Sequence, residues 1–214
     1  MRTVYEKADV LPMLAEVFRE LGYEGASFGK ITERTGISKG SLYHFFPDGK
    51  EQMAAEVIGQ IDGWFVENVY RSLEQDTPGA ALERMWTEVD TYFRSGGRVC
   101  LIGAFALDTT RDSFAEAIRG YFDRWVKALA LCLKKTGIEP AAAQASAEDV
   151  VAGIQGALVL SRALNNRQVF LRAMRRLRND VDALIAQAAS RKAGARNRRV
   201  SPRSSQKGAR LPRR

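Results

Sequence analysis

Apolar residues recur three and four positions apart along most of this chain, which is the spacing of amphipathic α-helices. The spacing extends over 50–74, 82–93 and 114–133. Proline and glycine separate these segments, since Pro78 can open the second helix and Gly137 can close the third. The pattern predicts an all-α fold of about nine helices.

One segment does not show this periodicity. Residues 99–107 are apolar on all sides, so periodicity alone allows either a buried strand or a short buried helix. Because helical segments lie on both sides of it, we interpret it as a helix.

The stretch from Ile31 to Phe46 has the layout of a helix, a glycine turn and a second helix with a polar outer face. Ser38 suits the N-cap of the second helix, because its hydroxyl can accept a hydrogen bond from a free amide of the first turn. Gly36 can supply the positive φ that ends the preceding helix. This layout is that of a DNA-reading helix-turn-helix.

The faces of the second helix follow from steps of about 100° per residue. Its buried face is predicted to carry Leu42, Phe45 and Phe46. Its outer side is predicted to carry Gly40 and His44, with Lys39 and Tyr43 on one flank and Ser41 on the other. A glycine at an exposed helical position costs about 1 kcal/mol relative to alanine. Close approach of a nucleic acid would explain Gly40, because a side chain there would hold the two surfaces apart.

Several linked segments resemble the N-terminal domain of TetR-type transcriptional regulators. They are residues 22–27, 31–36, 38–46 and 50–51, which together span about the first 55 residues. The resemblance implies a three-helix DNA-binding domain followed by a larger all-α domain that dimerises and usually binds a small-molecule inducer.

The same resemblance implies which residues contact DNA. Lys50 falls at the start of the fourth helix, where a lysine commonly contacts phosphate, and Ser38 belongs to the site as the N-cap. The candidate DNA-binding residues are Ser38, Lys39, Gly40, Ser41, Tyr43, His44 and Lys50. The segment Cys100–Gly103 further resembles a TetR branch that includes repressors of multidrug-efflux and flavonoid-responsive genes.

Three features depart from the family pattern. Pro12 lies within the expected first helix, and we expect a late start with Asp9 as N-cap, which would place the proline in the first turn. The segment from Pro47 to Lys50 is one residue longer than is common. Phe28 and Gly29 stand where relatives present polar groups, so we assign no DNA contacts there.

The larger domain offers candidates for an inducer cavity, because such cavities are mostly apolar. The candidate ligand-binding residues are Trp86, Phe93, Cys100, Phe105, Phe122 and Trp125. For any one of these side chains we favour plain core packing, although the family resemblance implies that some cavity exists. A planar, mostly apolar ligand fits such a lining.

The last two predicted helices carry a heptad-like seam. We expect a helix from Ser146 and, after a break near Asn165, a second helix. The candidate dimer-interface residues are Val151, Ile154, Leu158, Phe170, Met174, Leu177, Val181 and Leu184. The seam could pack inside one subunit, but it also suits an intermolecular four-helix bundle. A two-fold dimer would read a palindromic operator in double-stranded DNA.

Charge divides the chain into a body and a tail. The formal net charge is +8, but ten Lys or Arg and no acid lie from Arg191 onwards, which leaves 23 basic and 25 acidic residues before it. We expect a helix-turn-helix domain over 1–50, a ligand-binding and dimerisation domain over 51–190, and a disordered basic tail over 191–214. The tail could attract phosphate non-specifically or simply aid solubility.

Composition excludes several classes of function. The N-terminus lacks a signal-peptide pattern and no apolar run is long enough to span a bilayer, so we expect a cytoplasmic protein without membrane contact. A single histidine, His44, makes a metal site or histidine-based catalysis improbable. No cofactor is expected. Cys100 could be a catalytic nucleophile or redox switch, but we favour a small buried apolar residue.

The leading hypothesis is therefore a homodimeric repressor that leaves its operator when a small molecule fills the larger domain. The alternative is a helical ligand-binding or scaffold protein that has lost specific DNA binding, which the near-neutral body would suit.

Overall fold

The computed structural model describes residues 5–200, with side chains described except at 110 and 195–200. Helix is the only regular secondary structure in this range, which confirms the all-α prediction. The helices are α1 (Lys7–Gly25), α2 (Phe28–Thr35), α3 (Lys39–Phe45), α4 (Lys50–Phe65), α5 (Arg71–Gln75), α6 (Pro78–Tyr92), α7 (Leu101–Ala106), α8 (Ala115–Lys135), α9 (Pro140–Ala163) and α10 (Gln168–Val200). None of the helices in the described range is both long and apolar enough to cross a membrane.

The first helix begins earlier than expected. Its N-cap is Glu6, whereas Asp9 is the third helical residue and completes a capping box by accepting a hydrogen bond from the Glu6 amide at 3.1 Å. Pro12 therefore lies inside α1 rather than in its first turn. The predicted late start was wrong, because the capping box stabilises the earlier start and the helix tolerates one missing hydrogen bond.

The fourth helix forms a continuous rod with the fifth. A π-helical turn, Val66–Tyr70, joins α4 to α5 without a break. The predicted apolar stripe of α4 faces the core, where Val57 and Phe65 are fully buried. The rod therefore runs from the helix-turn-helix into the larger domain.

Residues 99–107 form a short helix, as interpreted from the sequence. Cys100 is the N-cap of α7, and its sulfur accepts a hydrogen bond from the Gly103 amide at 3.3 Å. A 3₁₀ segment, Thr109–Phe114, then leads into α8. Gly137 has a φ of 98° just after the end of α8, which agrees with its predicted role as a helix stop.

The ninth helix starts at Pro140, six residues before the predicted start at Ser146. Pro140 occupies the first helical position, where a missing amide costs nothing. Glu139 is the N-cap, and its carboxylate accepts hydrogen bonds from the Ala141 and Ala142 amides at 2.9 and 3.1 Å.

The residues of the heptad-like seam pack within one subunit. Seven of its eight predicted members are buried within the single chain, namely Val151, Ile154, Leu158, Phe170, Met174, Leu177 and Val181. Leu184 is half-buried against the same core. The intramolecular alternative therefore accounts for their burial, since α9 and α10 use this seam to pack on each other. Their assignment to a dimer interface stays a prediction.

The last helix extends beyond the predicted start of the tail. α10 continues to Val200, so the disorder expected from residue 191 does not begin there. Arg, Lys and Ala favour helix, and positive charge near a helix C-terminus interacts favourably with the helix dipole. The prediction for 201–214 lies outside the described residues.

The turn after α6 provides a test of packing. Gly96 has a φ of 83°, and a Cβ atom there would lie 2.5 Å from Phe170 Cβ. We expect Gly96→Ala to lower the free energy of unfolding by about 3 kcal/mol, since it adds both left-handed strain and overpacking. Urea unfolding followed by circular dichroism measures this change. Gly120→Ala is the matched control, because Gly120 is helical with open space around it, and a Gly96 variant as stable as that control would contradict the packing.

Candidate DNA-reading surface and ligand cavity

The helix-turn-helix is formed by α2 and α3 as the sequence predicts. Ser38 is the N-cap of α3 and accepts a hydrogen bond from the Ser41 amide at 3.1 Å. Gly36 ends α2 in the left-handed region with a φ of 71°. Of the predicted apolar face, Leu42 and Phe46 are fully buried, whereas Phe45 is half-buried. α3 is thereby fixed with its polar side outward.

The outward side of α3 carries the predicted reading residues. Lys39, Gly40, Tyr43 and His44 are exposed, and Ser41 is half-buried. A Cβ atom at Gly40 would find only the Ser38 hydroxyl, 4.0 Å away. The fold itself therefore does not require glycine at this position, which agrees with the interpretation that an external surface approaches it.

Two neighbouring side chains limit the freedom of this face. The ring of Phe28 in α2 stacks on Tyr43, with ring centroids 4.7 Å apart and planes 11° from parallel. The Lys39 ammonium lies 5.9 Å from the Tyr43 ring centroid. The sequence analysis assigned no role to Phe28. An aromatic residue at the start of a helix was the signal that it packs on a neighbouring side chain, here Tyr43. Both contacts favour this orientation of the Tyr43 ring.

Lys50 lies at the first position of α4, as the resemblance implied, but its ammonium faces the end of α1. Lys50 Nζ donates to the Tyr23 carbonyl at 3.0 Å and lies 4.1 Å from the Tyr23 ring centroid. The Glu24 carboxylate is 3.7 Å away. In this arrangement Lys50 joins α1 to α4, so a phosphate contact would have to replace or share these bonds.

A mostly apolar cavity of about 600 Å³ lies between α7, α8 and the second half of α9. Its lining residues are Val99, Cys100, Gly103, Ala104, Ala106, Leu107, Phe122, Gln155, Gly156, Leu158, Val159, Arg162 and Ala163. Of the six predicted ligand-binding residues, only Cys100 and Phe122 border it. Gln155 is the one polar residue in the apolar run 150–160, a signal that the sequence analysis did not use.

The other four predicted ligand-binding residues lie elsewhere. Phe93, Phe105 and Trp125 are fully buried in the core, and Trp86 borders a separate groove between α6 and α10. A periodic stripe shows which face of a helix is buried, but it does not show which buried side chains border an open space. The core-packing alternative therefore fits these three buried residues.

The two cysteines are buried thiols. Burial raises the pKa of the Cys100 thiol above its usual range, and burial raises that of Cys132 to about 11. Both sulfurs therefore remain protonated at neutral pH, and a protonated thiol is a poor nucleophile. The burial and protonation of Cys100 agree with its interpretation as a small buried apolar residue.

Within the described residues, no group of three or more potential metal ligands occurs.

Both parts of the chain match known protein families. Residues 14–57 match the bacterial regulatory proteins of the tetR family, and residues 78–176 match the C-terminal domain of LmrA/YxaF-like transcriptional regulators. The chain belongs to the TetR family. The family resemblance predicted from the helix-turn-helix is thus confirmed, and with it the class of DNA-binding transcriptional regulators.

Individual relatives cover most of the chain. The HTH-type transcriptional regulator LmrA of Bacillus subtilis is 26% identical over 162 residues, which are 73% of this chain and 86% of LmrA. The uncharacterized regulator YxaF of the same organism is 26% identical over 158 residues, or 71% and 82% of the two chains. A TetR regulator structure from Legionella pneumophila has the same fold, with a TM-score of 0.72 and 19% identity over 84% of this chain and 99% of that one.

In this TetR-family chain, a polar network joins α1 to the segment that starts α7. Arg19 Nε donates to the Val99 carbonyl at 3.2 Å, and its Nη2 donates to the Tyr92 hydroxyl at 3.0 Å. Glu16 accepts from Arg19 Nη1 at 2.9 Å and from Arg98 Nη2 at 2.6 Å. The network therefore ties α1 directly to the residue that precedes the N-cap of α7.

Aromatic packing adds a second connection between the same elements. The ring of Phe105 in α7 lies 5.9 Å from that of Phe18 and 6.1 Å from that of Tyr23, both in edge-to-face contact. Phe114 packs on Tyr23 at 5.7 Å. Because α7 also forms one wall of the cavity, it lies between the cavity and α1.

The Glu16 network predicts a dependence of stability on pH. Partial burial favours the neutral form of Glu16, but the guanidinium groups of Arg19, Arg98 and Arg94 together hold the pKa of its carboxyl below its usual range. A lowered pKa in the folded state stabilises the protein above the unfolded-state pKa of about 4.3 and loses this effect in more acidic solution.

We expect Glu16→Gln to lower the free energy of unfolding by only about 0.5–1 kcal/mol at pH 7, because the carboxylate is half-exposed. The difference from the natural protein should shrink as the pH falls from about 5 towards 3. Urea titrations across this range measure it. Asp182→Asn makes the same charge change at an exposed site outside any ion pair of the described chain, and a difference that is independent of pH would contradict the lowered pKa.

Proposed function

We propose that this chain is a homodimeric transcriptional repressor that occupies a palindromic operator and is released when a small, mostly apolar molecule fills the cavity between α7, α8 and α9. The observation that carries the proposal is the position of α7. It borders the cavity on one side and contacts α1 of the DNA-binding part on the other.

The reading residues in this proposal are those that the resemblance implied. Lys39 and Ser41 offer donors to base edges or phosphates, and Gly40 allows close approach. Tyr43, His44 and Lys50 hold backbone phosphates, and Ser38 positions the start of the helix. The exposure of this face supports these roles, and the stacked Phe28 fixes the direction of Tyr43.

The dimer surface that we propose is the outer side of α9. Val159, Leu160 and Leu164 are 60%, 52% and 63% exposed, which is unusual for three neighbouring large apolar residues. The small residues Ala152 and Gly156 extend the same side and would allow close approach of a partner helix. Val159 and Gly156 also border the cavity, so a partner on this surface would form part of the outer cavity wall.

Release requires that the ligand bind more tightly to a state that does not fit DNA. A ligand between α7 and α9 would displace α7, and the Val99 carbonyl and the Phe105 ring would carry this displacement to α1. The distance between the two α3 helices of the dimer would then no longer match the spacing of major-groove faces.

Lys39→Ala and His44→Ala test the reading face. Each should weaken binding to a duplex selected by the natural protein by about 1–3 kcal/mol if it removes a base contact, and by less if it removes a phosphate contact. Fluorescence anisotropy measures the affinity. Lys127→Ala on α8 is the control, because Lys127 pairs with Asp123 far along the chain from α3. Full affinity of both α3 variants would contradict the assignment.

A further inference from the structure

A small polar crevice lies between the turn after α6 and the turn that joins α9 to α10. Its volume is about 160 Å³. Its charged lining residues are Arg98, Arg162 and Arg167, and no carboxylate borders it. Asn165 and Asn166 complete its polar lining. These residues come from two distant parts of the sequence, 96–99 and 158–167, so the fold alone brings them together.

The crevice is built on a fixed glycine turn. The Ser161 hydroxyl donates to the Gly96 carbonyl at 3.0 Å and thereby attaches α9 to the turn. At Gly97 a Cβ atom would lie 2.9 Å from the guanidinium of Arg167, so that guanidinium lies against bare backbone. A side chain at position 97 would fill the space that Arg167 occupies.

The positive charges in the crevice are incompletely paired. Arg162 and Arg167 are exposed, and neither side chain makes an ion pair or a hydrogen bond with a described residue. Arg98 bonds to Glu16 through Nη2, but its Nε is buried without a hydrogen-bond partner in the described chain. Buried donors in proteins are normally satisfied, and guanidinium groups bind carboxylates through paired hydrogen bonds. An anion would supply the missing acceptor.

The crevice adjoins the apolar cavity. The two share Val99, Leu158 and Arg162 as lining residues, and among the described residues Arg162 is the only charged one that borders the cavity. Farther inside, the buried Gln155 amide nitrogen has no oxygen acceptor among the described residues. The combined space is therefore apolar along most of its length, with one polar donor inside and a cluster of positive charge at one end.

We propose that the cavity and the crevice together bind one organic acid, with its apolar body between α7, α8 and α9 and its carboxylate among Arg98, Arg162 and Arg167. This inference rests on the proposed function, in which the cavity holds the inducer, and it specifies the chemical class of that ligand. The charge of the carboxylate selects it against neutral molecules of the same shape.

Two fluorescent probes with the same carbon skeleton test this selection. 1-Anilinonaphthalene-8-sulfonate carries an anionic group that N-phenyl-1-naphthylamine lacks, so the ratio of their affinities reports the anion contact. Fluorescence titration of the full chain should show the sulfonate binding about tenfold more tightly, or better, than the neutral amine. In Arg162→Gln/Arg167→Gln the ratio should fall to near one, because the sulfonate loses its anion contact and the neutral probe has none to lose.

Control variants place the probes. Arg172→Gln/Arg176→Gln removes the same charge from exposed positions of α10 that do not line the crevice, and it should keep the natural ratio. Ala104→Leu narrows the cavity from α7 and should weaken both probes together.

The outcomes separate this inference from the proposed function. If both probes bind the natural protein equally, or if the ratio survives loss of Arg162 and Arg167, the organic-acid inference is wrong and the cavity remains a ligand site. If Ala104→Leu leaves both affinities unchanged, the probes bind elsewhere and the inference is equally contradicted. If neither probe binds at all, both the inference and the ligand-binding part of the proposed function are contradicted.

Discussion

Gly40→Leu should abolish specific DNA binding without disturbing the fold. A Cβ atom at Gly40 has open space around it, and replacing an exposed helical glycine stabilises a helix by up to about 1 kcal/mol. On the DNA side, a leucine would hold α3 away from the base edges. We expect at least a hundredfold loss of operator affinity, or about 2.7 kcal/mol, together with an unchanged or slightly higher melting temperature.

Gly40→Ala should give an intermediate loss, because a single methyl group separates the two surfaces less. Gly120→Leu is the matched control, since Gly120 is also an exposed helical glycine with open space, but on α8. Anisotropy titration and thermal unfolding of the same preparations measure both properties. If Gly40→Leu bound the operator as tightly as the control, α3 would not be the reading helix.

Leu160→Arg/Leu164→Arg should convert the dimer into a monomer. Both side chains are more than half exposed in the single chain, so the fold can accept arginine at either position. At a two-fold interface each change would be repeated, and unpaired guanidinium groups would be buried against each other. Neither residue itself lines the cavity, so the substitutions change the ligand site only through loss of the partner's part of its outer wall.

Sedimentation at micromolar concentration should give a mass near the 23.8 kDa of one chain, against twice that for the natural protein. Operator affinity should fall at least about a hundredfold, because a monomer occupies only one half-site. Leu131→Arg is the control, since Leu131 is an exposed leucine of α8 outside the α9 surface. A double variant that remains dimeric would contradict the proposed interface.

The parts of the molecule that the sequence predicted well are those set by local spacing. Ser38 caps α3 and Gly36 ends α2 because each role depends on neighbours within a few residues. The same holds for the buried Leu42 and for the helix stop at Gly137. Such features follow from backbone geometry that is already determined within one or two helical turns.

The predictions that were wrong or stay untested concern choices that local spacing cannot make. The seam through Phe170 and Leu177 had the correct periodicity, but periodicity does not tell an intramolecular partner helix from one in a second subunit. Similarly, Trp125 is on a buried face without bordering the cavity. Proline is common both just after a helix and at its first position, so Pro140 alone does not locate the helix start. The Glu139 N-cap places Pro140 at the first position of α9.

The charged residues of the proposed ligand site also could not be predicted from local residue spacing. Arg98 is far in sequence from Arg162 and Arg167, and only the packing of α9 and α10 on the Gly96 turn brings them to one crevice. The network of Arg19 and Glu16 is equally non-local, because it joins α1 to residues about eighty positions later. No local sequence pattern marks these residues as functional. Their roles are seen only from the side chains that surround them in the fold.

The central claim is that the α3 faces of two subunits together read a palindromic DNA sequence. Selection from a pool of random duplexes by the full chain, followed by sequencing, tests it most directly. The proposed function predicts one enriched palindrome whose half-site centres lie about 10–10.5 base pairs, or a multiple of that distance, apart. Enrichment of no sequence, or of a single site without two-fold symmetry, would contradict it.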